Sequence, residues 1–103
     1  WYTFSILLTM RKYIMKTNNP LKEYLLEQNE MLNGIQKKYL FDNGYGASVI
    51  RHDGSYGVKE GLWELAVLGL DGELDYSTKI TSDVLPRLSW RQVHSTLRQI
   101  QTL

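Results

Sequence analysis

The side chains best able to do chemistry concentrate in one stretch, Arg51-His52-Asp53-Gly54-Ser55-Tyr56-Gly57-Val58-Lys59-Glu60-Gly61. It holds a base (His52), carboxylates (Asp53, Glu60), a hydroxyl (Ser55) and two cations (Arg51, Lys59). Acid–base or nucleophilic catalysis needs such groups, but it also needs them held in a fixed geometry. His-Asp-Gly-Ser has no strand-to-helix elbow that would press Ser55 against His52. The expectation is therefore a polar, glycine-punctuated loop with no catalytic residue, in a chain that is not an enzyme. As a binding surface the same loop offers Arg51, His52, Asp53, Tyr56 and Lys59, with Tyr45 on the preceding hairpin. Tyrosine suits an interface centre because it buries a large area at low entropic cost. Beside arginine and lysine it can also stack on, and help neutralise, a single-stranded nucleic acid.

Other chemistries thin out quickly. The chain has no cysteine, which removes disulfides, thiolate nucleophiles and thiolate metal sites together. Its two histidines, His52 and His94, fall on different elements and lack the spacing of a helical metal motif, so no metal and no cofactor is expected. Asp42-Asn43-Gly44 and Asp71-Gly72-Glu73 do not extend to the ligand pattern of a calcium loop. Gly44-Tyr45-Gly46 runs into a strand instead of a helix, which fails the dinucleotide fingerprint. With 12 basic and 11 acidic residues the net charge is +1, so no global positive field draws in nucleic acid. Any such binding would need a local patch.

The elements that must position these groups follow from periodicity. At 103 residues, 43% of them hydrophobic, the chain is expected to form a single domain. Residues 1–14 are apolar first and basic second, the reverse of a secretory signal, and the apolar run from Trp1 to Met10 is too short to span a bilayer. Met15 opens a polar stretch and reads as a natural start. Residues 1–14 are then expected to be a leader, upstream sequence or a tag, with 15–103 as the domain. The competing reading is an apolar arm that docks on the sheet. Asn18 or Asn19 before Pro20 predicts a helix start, and Leu21, Tyr24, Leu25, Gln28 and Leu32 recur at helical spacing up to Gly34.

Beyond Gly34 the period changes to two. Asn43-Gly44 and Asp71-Gly72 each predict a tight hairpin turn. A two-residue turn at Asn43-Gly44 would place Phe41 opposite Gly46 and Leu40 opposite Ala47. One at Asp71-Gly72 would pair Val67 with Tyr76, Leu65 with Thr78, Trp63 with Ile80 and Glu64 with Lys79, leaving Ala66 and Leu68 on the other face as a candidate homo-oligomer contact. Val84-Leu85-Pro86 reads as a short helical turn. Ser89-Trp90-Arg91-Gln92 has the form of a capping box, and Trp90, Val93, Leu97 and Ile100 follow at helical spacing. The expected fold is α+β: an N-terminal helix, a four-stranded antiparallel meander of two hairpins, and a C-terminal helix packed with the first on one sheet face.

Asn43-Gly-Tyr-Gly-Ala-Ser-Val49, Ser55-Tyr-Gly57, Leu62-Trp-Glu-Leu-Ala-Val-Leu68 and Ile80-Thr-Ser-Asp-Val84 resemble strings shared by a group of small bacteriophage-encoded proteins. The similarity runs from about Lys38 to Leu103. It implies a phage genome and a shared fold, and carries no catalytic residue with it. The functional expectation is a phage accessory protein in the cytoplasm of a bacterial host. It would bind a host or phage macromolecule, for example to inhibit a defence or replication factor. The alternatives are a nucleic-acid-binding module and a small enzyme or ligand binder using loop 51–61. No membrane partner is expected.

Overall fold

Trp63, Leu65 and Val67 alternate along one strand, and all three are buried, so the face predicted to be the core is the core. The computed structural model describes residues 20–103. A 3-10 turn (Pro20–Tyr24) leads into strands β1 (Leu25–Met31), β2 (Gly34–Leu40), β3 (Gly46–Arg51) and β4 (Trp63–Leu68). A 3-10 turn (Val58–Glu60) lies between β3 and β4, and strand β5 (Leu85–Leu88) and helix α1 (Trp90–Gln101) follow. The five strands form one antiparallel sheet in chain order. Helix α1 lies across β3, β4 and β5 and buries Val93, Thr96, Leu97 and Ile100 against Tyr39, Ala47, Val49, Leu65 and Val67. The capping box forms as expected: Gln92 N–H donates to Ser89 Oγ at 3.2 Å, and Ser89 N–H donates to Gln92 Oε1 at 2.8 Å.

Several expectations are corrected. The first concerns the helix predicted from Pro20, which is only a 3-10 turn followed by a strand. Leu21 and Tyr24 enter the core, whereas β1 pairs along its length with β2, and Leu32 and Asn33, both at positive φ, make the two-residue turn between them. After Leu25 every side chain of β1 is exposed, so nothing in Leu-Glu-Gln-Asn-Glu-Met alternates to announce a strand. Gly34 opens β2 instead of ending a helix. A side chain there would collide with the Arg51 carbonyl and His52 Cα, so only glycine lets β3 approach this closely. The expected leader and the Met15 start lie outside the described residues.

The first hairpin is correct in place and shifted by one in register. Phe41 N–H donates to Tyr45 O at 2.8 Å and Gly44 N–H to Phe41 O at 3.0 Å, with Gly44 at φ 89°. That is a type I turn with a left-handed glycine bulge, the other common hairpin device. Its extra residue sets Leu40 opposite Gly46 and Tyr39 opposite Ala47. Tyr39 therefore faces the core and Leu40 faces out, the reverse of the two-residue reading. Asp71-Gly72 repeats the device: Gly69 N–H donates to Glu73 O, Gly72 N–H donates to Gly69 O, and Leu68 bridges Leu74.

The predicted strand over 73–80 stops there, so its pairs with Val67, Leu65, Trp63 and Glu64 do not form. Asp75 Oδ1 accepts from both the N–H and the hydroxyl of Ser77, and Thr81 Oγ1 accepts from Asp83 N–H. These side chains take up backbone donors that a ladder would need. The place beside β4 goes to β5, with Trp63 opposite Leu88 and Leu65 opposite Leu85. Val84-Leu85-Pro86 thus enters a strand and not a helical turn. Pro86 is tolerated because β5 is an edge strand. The sheet has five strands where four were expected, and among the described residues the helical layer is α1 alone.

Candidate functional site

Loop 52–61 is internally tied. His52 N–H donates to Ser55 Oγ at 3.0 Å, and the Ser55 hydroxyl returns its proton to the His52 carbonyl at 2.8 Å. Gly54 N–H donates to His52 Nδ1 at 3.0 Å. Both His52 and Ser55 are buried. The Ser55 hydroxyl thus serves the backbone and not the imidazole, so the two do not form a nucleophile–base pair. Asp53 does not orient His52 either. Its N–H donates to Leu32 O, and Asn33 Nδ2 donates to its Oδ2 at 2.9 Å, pinning the loop to the β1–β2 turn.

The six residues named as a binding surface do not converge. Arg51 lies on the helix side, its guanidinium 4.6 Å from the centre of the Trp63 ring. His52 and Asp53 brace the loop, while Tyr56 and Lys59 project into solvent. Tyr45 is at the opposite end of β3, partly buried against the core, its N–H donating to Asn43 Oδ1. Among the described residues no three His, Asp or Glu side chains gather to hold a metal, and no helix is long and apolar enough to cross a membrane.

The sheet has an outer face that α1 does not cover, and the one-residue register shift adds Leu40 to it. Leu40 turns to that face, and Leu26, Leu68 and Leu70 meet it around a depression of about 350 Å³ between the two bulged turns. Leu26, Leu40, Leu70 and Leu74 are 64%, 47%, 70% and 54% exposed. A second depression, about 300 Å³, lies at the other end of the strands, between Met31, Ile50, Leu74 and Val84. The Leu68–Leu74 bridge joins the two, since Leu68 lines the first and Leu74 the second.

The second depression also has polar lining residues. Gln36 Nε2 donates to Ser48 Oγ at 2.9 Å, and His52 and Glu64 line it as well. Burial holds the Glu64 carboxyl above its ordinary value; His52 opposes this and Asp83 adds to it. An acidic, partly desolvated group thus sits at the end of an apolar face. Of these residues the sequence reading picked out Ala66 and Leu68 as a contact face but missed Leu26, Leu40, Leu70 and Leu74. The signal available was the five-residue span Phe-Asp-Asn-Gly-Tyr, which suits a bulged turn as well as a tight one. No family model, curated protein or solved structure matches the chain.

Proposed function

We propose that the chain is a small phage-encoded accessory protein. In this reading it works in the bacterial cytoplasm, without catalysis, by binding a host or phage protein on the outer face of its sheet. The observation that carries the reading is the cluster of Leu26, Leu40, Leu70 and Leu74, four exposed leucines around two joined depressions on one face. Exposed apolar side chains scattered singly need no explanation, whereas a clustered set rimmed by polar groups is the usual mark of an interaction surface. Glu64 and Asp83 at one end favour a partner that brings a basic side chain to an otherwise apolar contact.

The test compares the full chain with the L40D and L74D variants in affinity purification from phage-infected bacteria, followed by titration of each variant against the purified partner. The reading expects one protein that binds the natural chain stoichiometrically and is lost from both variants, with their unfolding midpoints little changed. Equal recovery by all three chains would overturn it. Sedimentation of the isolated chain tells whether a second copy occupies the face instead.

A further inference from the structure

The opposite side of the sheet carries a different chemistry. Lys37 sits on the helix-facing side of β2, beside the first turn of α1, with Nζ 4.7 Å from the centre of the Trp90 ring and 5.6 Å from that of Trp63. The two indoles are 5.0 Å apart, Arg51 lies over Trp63, and His94 meets Trp90 edge-on at 4.9 Å. Arg98 follows His94 by one helical turn, exposed. Beyond burial, the charges acting most strongly on Lys37 are Arg51 and Lys22, and those on His94 are Arg98 and Lys37. The strip is thus a set of cations pressing on one another around two aromatic rings.

Little on this side offsets them. The ion pair of Lys38 with Glu27 belongs to the outer face, as do Glu64 and Asp83. Glu30, opposite Ile35, shares the helix-facing side, and Glu23, next to Lys22, has both carboxylate oxygens buried without a hydrogen-bond partner, so these two carboxylates stand against the four cations Lys22, Lys37, Arg51 and Arg98. Residues 1–19 contain Arg11, Lys12 and Lys16 and no Asp or Glu, so that segment brings no compensating charge wherever it lies. A near-zero net charge thus conceals a local excess of cations along this strip.

We propose that this strip, formed by Lys22, Lys37, Arg51 and Arg98 around Trp90, binds the phosphodiester backbone of a single-stranded nucleic acid. Cations at several points along the strip match a chain of phosphates better than one compact anion, and the half-buried Trp90, packed by Trp63 and His94, offers a ring on which a base can stack once Lys37 turns from it to a phosphate. The inference is independent of the outer-face reading, because the two use opposite sides of the sheet.

The test is fluorescence anisotropy of a labelled oligothymidylate with the full chain as salt is raised. Four phosphate contacts give a slope of log K against log salt of about −2.8, at roughly 0.7 per contact for single strands. The double variant K37M/R98Q should reduce the slope to about −1.4 and weaken binding at low salt by at least about tenfold. R98Q alone, at an exposed helix position where misfolding is not at issue, should reduce it by about 0.7. Absence of binding at low salt, an unchanged slope in R98Q, or equal affinity for duplex DNA would each overturn the proposal.

Discussion

Asn43 offers the sharpest quantitative check on how the pieces are joined. Its Oδ1 accepts from Tyr45 N–H at 3.0 Å, inside the first bulged turn. Its Nδ2 faces the end of α1, 2.9 Å from Ile100 O, 3.1 Å from Gln101 O and 3.3 Å from Leu103 O. One amide therefore fixes a hairpin and caps the end of the helix, where Ile100 O also accepts from Leu103 N–H. Replacing it with alanine removes the turn bond and both Nδ2 donors. At about 1 kcal/mol net for each of three bonds the loss is about 3 kcal/mol, a large share of the 5–15 kcal/mol typical of such a domain. For a chain of this size that corresponds to a fall in Tm of roughly 12–24 °C. Asp at the same position keeps the acceptor for Tyr45 but turns a negative oxygen toward three carbonyls at the negative end of the helix dipole, so N43D should be at least as damaging as N43A at neutral pH. The gap between the two should narrow on acidification, when the protonated carboxyl can donate again. Urea unfolding followed by tryptophan fluorescence measures both variants. An N43A stability within about 0.5 kcal/mol of the natural chain would refute this account of how the turn and helix are coupled.

Four further outcomes follow from named contacts. G34A should abolish cooperative unfolding or lower the urea midpoint severely, because the added carbon meets the Arg51 carbonyl and His52 Cα, backbone atoms that cannot step aside. S89A should cost about 1 kcal/mol in the same assay through loss of the helix cap. S55A should cost about 1–3 kcal/mol, since the hydroxyl serves both backbone groups of buried His52. His94 is held below its ordinary pKa of 6.5 by burial, then by Arg98 and Lys37, so its protonated form is disfavoured in the fold. Below pH 6.5 the unfolded chain takes up the proton first; stability should therefore fall as pH drops from 6.5 toward the lower folded value, and H94Q should flatten that part of the profile.

The parts of the fold legible in the sequence are those where one face is dry. Trp63, Leu65 and Val67 alternate, and Val93, Leu97 and Ile100 recur at helical spacing, because each set has a core to fill. β1 is an edge strand with solvent on both faces, held by main-chain bonds to β2 that no side-chain pattern records. Residues 73–80 show the converse: Leu74, Tyr76, Thr78 and Ile80 alternate, yet Asp75, Thr78 and Thr81 take up backbone N–H groups locally. At the bulged turns a single residue decided which leucines face outward, and composition is the same in either register. The loop singled out for its reactive side chains spends His52 and Ser55 on its own internal hydrogen bonds and Asp53 on tying it to the β1–β2 turn. The aromatic–cation strip joins Lys37 of β2 and Trp63 of β4 to Trp90 and His94 of α1, elements far apart in sequence that only the fold brings together.

The outer face can be interrogated directly with a photoreactive phenylalanine analogue placed at Leu70, and in a separate chain at Lys59 on the distant loop. Each chain is expressed in phage-infected bacteria and irradiated, and cross-linked products are identified by mass spectrometry. A protein partner bound on the outer face should give one discrete product from position 70, lost when L40D is added, and none from position 59. No discrete product from position 70, or the same products from both positions, would contradict the assignment of that face.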